Sequence, residues 1–191
     1  MEKIAVDAMG GDFAPLEIVL GSIQAVREFK IPVVLVGDKE QILTILKNNH
    51  EENNPLIEIH HASEVIEMGE HPGLAYRKKK DASVSVGARL VRAKECGALV
   101  APGSTGAAVT AGLLGIGRIK GIERPAILTP IPNEKGRYTY LIDSGASAQP
   151  KVETYVQNAI LGYIYASKVA GIKNPRIGLL NIGEEDTKGS P

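Results

Sequence analysis

The stretch at residues 4–15, IAVDAMGGDFAP, runs an apolar segment straight into an Asp, a pair of glycines, a second Asp and a proline. The apolar run reads as a strand, and a proline just ahead of the next helical pattern opens a helix. Asp7, Gly10, Gly11 and Asp12 therefore fall at the carboxyl end of a first parallel strand, where open α/β sheets place their ligands. Paired glycines let main-chain N–H groups approach a ligand closely, and the helix start behind them offers a positive dipole end to an anion. A tight strand-to-helix turn also needs glycines, so this loop alone does not choose between a turn and a binding site.

Outward from this loop the pattern repeats. Leu16, Val19, Leu20, Ile23 and Val26 recur at helical spacing, and residues 32–36 form an apolar run closed by Gly37. Asp38 and Gln41 stand at capping-box spacing ahead of Ile42, Ile45 and Leu46, and residues 56–59 read as a third strand. From His60 to Asp81 the pattern breaks into charges and turn residues, ending in Arg77, Lys78, Lys79 and Lys80. Order returns with a helix over 83–95, a strand over 98–101, the loop Pro102-Gly103-Ser104-Thr105-Gly106 and a small-residue helix over 107–116. Residues 126–131 and 138–142 are strand-like. Val152, Tyr155, Val156, Ala159, Ile160, Tyr163 and Ile164 then form one helical stripe closed by Gly171, and residues 176–181 read as a final strand. This alternation predicts an α/β fold, a parallel-rich sheet with helices on both faces. The organisation expected is a single α/β domain over 1–191 or the N-terminal portion of a longer enzyme.

Composition narrows the classes. With 43% hydrophobic residues in 191, the chain can bury a core, and 22 basic against 22 acidic residues leave no overall footprint for nucleic acid. The single cysteine, Cys96, cannot form an internal disulfide, which suits a reducing cytosol, and a plain structural role is expected of it. No apolar run reaches membrane-spanning length and no secretion signal opens the chain, so a cytoplasmic protein is expected. His50, His60, His61 and His71 never pair at metal-ligand spacing, and no Walker-type loop or dinucleotide fingerprint is present. A site without metal or cofactor is the expectation. Asp7, Asp12 and Asp143 would suit a divalent ion, but turn and capping hydrogen bonds explain Asp beside Gly more simply.

Four predicted strand ends carry short loops of Gly with Ser, Thr, Asp or Asn: the one at Asp7, the one from Gly103 to Gly106, the run Asp143-Ser144-Gly145-Ala146-Ser147, and the segment from Asn181 through Gly183 to Lys188. In one parallel sheet all four would open on the same edge and share a cleft. Ser104, Thr105 and Gly106 precede a helix directly, so they form either an anion cradle or an ordinary cap. Arg118, Lys120 and Arg124 cluster beyond that helix, where both phosphate binding and complementation of the helix dipole account for them.

VDAMGGDFAP at the start, EVIE at 64–67, RKKKDAS at 77–83, GRIKGIERPA at 117–126 and GLLNIGEEDTKG at 178–189 together resemble the bacterial phosphate acyltransferases of phospholipid synthesis. The likeness spans the whole chain. It implies a three-layer α/β/α fold similar to phosphotransacetylases and the isocitrate dehydrogenase group. It also implies formation of acyl phosphate from inorganic phosphate and an acyl group carried as a thioester on acyl carrier protein. Where family members read AGNTGA this chain has Pro102-Gly103-Ser104-Thr105-Gly106-Ala107, and Ser147 stands where they carry Asn in D-x-GAN. Family members continue well beyond Gly189, so these residues alone are expected to be inactive and prone to associate.

The chemistry and the resemblance together imply the following roles. Phosphate is already an anionic nucleophile, so positioning and oxyanion stabilisation can carry the catalysis without a covalent intermediate. The amides of Gly10, Gly11, Gly103, Ser104, Thr105 and Gly106, with Gly145 and Gly183, would hold substrate. Arg118, Lys120 and Lys188 would supply charge, and Asp7, Asp12, Asp143 and Asn181 orientation. Lys79 joins the catalytic candidates, and its cluster from Arg77 to Lys80 is either a solvated surface or a dock for the acidic carrier protein. A homodimer, peripheral association with the membrane and delivery to a downstream membrane glycerol-3-phosphate acyltransferase are the further expectations. The alternatives are a phosphotransacetylase-like enzyme using a coenzyme A thioester, or an inactive, oligomerising or partner-binding module.

Overall fold

The computed structural model describes residues 2–147 and 150–183. The chain divides into two compact units, Met1–Gly121 and Ile122–Pro191. In the first, β1 (Ile4–Asp7), β2 (Val33–Gly37), β3 (Ile57–His61) and β4 (Ala98–Val100) form one parallel sheet in the order β3-β2-β1-β4. Helices α1 (Leu16–Phe29), α2 (Lys39–Asn48) and α4 (Ser83–Arg92) cover it, with α3 (Pro72–Lys78) and α5 (Thr105–Thr110) beyond.

Period-2 alternation in the central strands builds the layers. Val6, Val33 and Leu35 bury one face against Val19, Ile23 and Val26 of α1 and Ile42 and Leu46 of α2. Ala5, Val34 and Val36 bury the opposite face against Val86 and Leu90 of α4 and against Cys96. Both faces are therefore apolar, as a parallel strand with helices on each side requires. The expected capping signal is present at α2, where the Asp38 side chain accepts from the Gln41 N–H at 2.9 Å.

Several expectations need correction. The charged stretch between His60 and Asp81 contains α3, opened by Pro72 and capped by His71, whose Nδ1 accepts from the Leu74 N–H at 3.4 Å. Its Ala75 and Tyr76 are buried with Ala88 of α4 and with Ala107 and Ala111, an apolar pair too short to show as helical periodicity. The small-residue helix begins at Thr105 and passes after Thr110 into a π-helical turn, Ala111–Ile116. Helix α4 ends at Arg92, so Cys96 lies past it in the turn that leads to β4.

The largest departure is in the second unit. β5 (Leu128–Pro132) and β6 (Tyr138–Ile142) do not join a parallel sheet: they pair antiparallel in a two-stranded sheet of their own. A parallel crossover needs a dozen or more residues, and only five link these strands. Asn133 organises that link, its Oδ1 accepting from the N–H groups of Lys135 (3.0 Å) and Arg137 (3.2 Å). Helix α6 (Val152–Lys168) follows, with Tyr165 edge-on to Tyr140 at 5.4 Å between ring centroids. Most of its apolar stripe, including Val152, Val156, Ile160 and Ile164, is exposed, because a two-stranded hairpin is too small to bury it. Residues 176–181 form no strand, and Ile177, Leu179 and Leu180 are exposed. Among the described residues no helix is long and apolar enough to cross a membrane.

Ile42 is wholly buried between α2 and the sheet. Ile42→Ala removes three carbons from this seam and is expected to cost about 2–5 kcal/mol, read as a fall in the urea unfolding midpoint with the slope unchanged.

Candidate functional site

The strand order fixes where a site can form. From β1 the chain moves outward through β2 to β3, then returns to place β4 on the other side of β1. The loops leaving β1 and β4 thus diverge at the point where the order reverses, which is where open α/β sheets bind ligands.

There the two loops meet through their glycines. A Cβ on Gly10 would stand 2.9 Å from the Gly103 nitrogen, and a Cβ on Gly103 would stand 3.0 Å from the Gly10 Cα. Gly11, at φ +108°, takes a backbone conformation that side chains resist, and a Cβ there would lie 3.4 Å from the Pro102 carbonyl oxygen. Main chain lies directly against main chain, bringing Gly10, Gly11 and Gly103 together as the sequence reading expected. Ser104 follows as the cap of α5, its Oγ accepting from the Ala107 N–H at 3.4 Å, and Thr105 is exposed. Gly106 faces away from this contact, towards Pro72 of α3.

Asp7 lies beneath the junction, only 4% exposed. Its Oδ1 accepts from the Met9 N–H at 3.2 Å, and its Oδ2 would be 2.7 Å from a Cβ on Gly10. Burial pushes this carboxyl above the usual aspartate range, opposed by hydrogen bonds from the Ser83 hydroxyl and the N–H groups of Met9 and Gly10. Asp7 thus lies directly against the Gly10 main chain and accepts from the loop it precedes. Ser83, the first residue of α4 and 1% exposed, escaped the sequence reading: 76 residues from Asp7, it carried no local signal beyond its place at a helix start.

The other candidates are distributed elsewhere. Asp12 is exposed on the β1–α1 loop, and Arg118 and Lys120 are exposed beyond the π-helical turn. The Lys79 Nζ donates to Glu70 Oε2 at 2.6 Å and to the Val65 carbonyl at 2.7 Å, so it ties the 65–79 excursion together while Arg77, Lys78 and Lys80 stay exposed. Only two of the four loops leave strands of the parallel sheet. Asp143 follows the antiparallel β6, where its carboxylate accepts from the N–H groups of Ile127 (2.9 Å), Ala146 (3.1 Å) and Ser147 (2.8 Å) and shapes the turn containing Gly145. Asn181 and Gly183 follow no strand, and Lys188 lies outside the described residues. Cys96 is buried and its thiol is pushed up by that burial, the opposite of activation. Among the described residues no three or more His, Cys, Asp or Glu gather as a metal site.

The raised Asp7 carboxyl gives a signed expectation. Between its unfolded and folded values the folded state holds more protons than the unfolded chain, so this group's contribution to stability falls as pH rises through that window. Asp7→Asn removes the slope. In urea unfolding at a series of pH values from about 4 upwards, the native chain should lose ground to Asp7→Asn as pH rises, and a constant gap would contradict burial as the dominant influence.

Comparison with known proteins gives these loops a context. Proteins named phosphate acyltransferase from Pelotomaculum thermopropionicum and Desulfitobacterium hafniense are 51% and 52% identical to the chain over 188 and 190 residues, covering 98% and 100% of it. The phosphate acyltransferase of Aquifex aeolicus is 48% identical over 190 residues, again covering 100%. The matched regions are 54%, 56% and 56% of those proteins, so the chain spans about half the length of the curated relatives it matches. The family described as fatty acid synthesis protein matches residues 2–191. With the parallel sheet and its paired glycine loops, that match establishes that the chain belongs to the fatty acid synthesis protein family.

Proposed function

We propose that this chain carries the anion-binding part of a phosphate acyltransferase that moves an acyl group from a thioester to inorganic phosphate. The observation that carries the reading is the approach of Gly10 and Gly11 to Gly103 at the reversal of strand order. Side chains are excluded there, leaving main-chain N–H groups to meet a small anion. The relatives' name supplies the reaction class.

In the proposed reaction a phosphate oxygen attacks the thioester carbonyl, and the new O–C bond forms as the carbonyl oxygen takes up negative charge. Collapse of that intermediate breaks the C–S bond, and the departing thiolate takes a proton to leave as thiol. Phosphate brings its own electron pair, so the chain's task is to hold it and to stabilise the oxyanion. We assign phosphate to the Gly10, Gly11, Gly103, Ser104 and Thr105 amides, with Arg118, Lys120 and Lys188 as sources of positive charge. Asp7, Asp12, Asp143 and Asn181 shape loops.

The donor we favour is the thioester of acyl carrier protein. The exposed cations Arg77, Lys78 and Lys80, with Arg89 and Arg92 of α4, offer a surface for an acidic protein. Acyl phosphate would then serve a membrane glycerol-3-phosphate acyltransferase. A homodimer at the membrane surface is part of the same proposal.

The test is thioester consumption, with and without inorganic phosphate, by a full-length enzyme that includes these residues, the product trapped by hydroxylamine. Expected are phosphate-dependent turnover, an acyl hydroxamate, faster reaction with the carrier-protein thioester than with the coenzyme A thioester, and rates within about twofold of native for Cys96→Ala. Turnover indifferent to phosphate, or yielding only free fatty acid, contradicts the proposal. An acyl adduct on Cys96 would replace direct attack with a covalent route.

A further inference from the structure

The loop that leaves β4 is gripped at both ends by contacts that admit no side chain. At one end a Cβ on Gly103 would stand 3.0 Å from the Gly10 Cα; at the other a Cβ on Gly106 would stand 2.4 Å from Cγ and 3.2 Å from Cβ of Pro72. Ser104 and Thr105 lie between the two grips. Pro72 is the first residue of α3, and that helix is tied at both ends. Glu70, ahead of it, accepts on Oε2 from the Lys79 ammonium at 2.6 Å and from the Glu67 N–H at 2.8 Å. Lys79, just past its last residue, also donates to the Val65 carbonyl at 2.7 Å. Ala75 and Tyr76, between those ties, are buried with Ala107 and Ala111 of the helix that Gly106 helps to start. A proline ring has no side-chain torsion that would swing it aside, so whatever presses on Pro72 must itself yield.

We propose that Pro72 is a positioning residue for the phosphate site: its ring, fixed by the Glu70–Lys79 clasp, sets where Gly106 sits and so holds the Ser104 and Thr105 main chain in place beside Gly10. The role rests on the functional reading above in taking phosphate as the ligand of that loop. Pro72 has no N–H to offer a ligand and acts through the Gly106 main chain. A displacement of Gly106 is passed to Ser104, because the Ala107 N–H donates to the Ser104 Oγ at 3.4 Å and the Ala108 N–H to the Ser104 carbonyl at 2.9 Å. The charged excursion thereby has a task besides presenting cations: its one internal ion pair, among the described residues, keeps this ring still.

In a full-length enzyme that includes these residues, the KM for inorganic phosphate reads the loop through its ligand, and amide hydrogen exchange over residues 103–111 reads it directly. Gly106→Ala should raise the phosphate KM roughly tenfold, with kcat and the thioester KM within about twofold of native, and should speed exchange across that segment. Pro72→Ala removes the ring's Cγ and Cδ, and added to Gly106→Ala it should bring the phosphate KM back to within about threefold of native and slow the exchange again. A general loss of packing would not be cured by removing a second contact. Gly112→Ala, where a Cβ would meet nothing within 4 Å, should change neither reading. If Gly106→Ala does not fold, Pro72→Ala alone carries the test: with the ring gone the phosphate KM should rise about threefold and the same segment should exchange faster, the thioester KM unchanged. A phosphate KM or exchange rate unmoved in the folded variant, a double variant no better than Gly106→Ala, or an equal rise in the thioester KM would overturn the proposal. A native enzyme whose turnover ignores phosphate would contradict the functional reading, and the exchange rates would still decide the role of Pro72.

Discussion

At Gly10 and Gly103 two main chains lie closer than any side chain would permit, directly above a carboxylate withdrawn from water. Burying Asp7 costs free energy unless donors meet it, and the loop that follows supplies one in the Met9 N–H. The two loops and the end of β1 are thereby tied to one another. A change in any one of them reaches the place where an anion would be met.

The sheet makes that tie possible. Its central strands are apolar on both faces, so α1 and α2 on one side and α4 on the other lock β1 and β2 in register. Reversal of direction between β3 and β4 then brings a loop from residue 103 beside a loop from residue 10. The 62–82 excursion contributes indirectly. Lys79, Glu70 and Val65 close it on itself, Glu64 seats α4, and Pro72 packs on Gly106, so a stretch rich in exposed charge also braces α4 and α5.

The second unit follows a different logic. Five linking residues and an Asn-centred turn force β5 and β6 into a hairpin, and α6 packs one edge on it while leaving much of its apolar stripe exposed. Asp143 spends its carboxylate on three main-chain N–H groups, which makes it an organiser of its turn. Glycine beside aspartate thus has different physical meanings in the two units. At Asp7 the carboxylate is buried under a main-chain contact, whereas at Asp143 it closes a local turn.

Local chemistry was legible in the sequence wherever the determinant was local. Alternating Val and Leu gave β2, the Asp38 to Gln41 spacing gave the start of α2, and IAVDAMGGD gave a strand ending in a loop built for close approach. The run Asn133-Glu134-Lys135-Gly136 carries a local hairpin signal of its own. Only the tertiary structure could decide partners across long separations. That Gly10 meets Gly103, that Lys79 turns to Glu70, and that β5 and β6 pair in a two-stranded sheet of their own all depend on strand order and chain reversal. Residue type and spacing set what each segment prefers; which segments become neighbours is fixed by how their apolar faces are buried together.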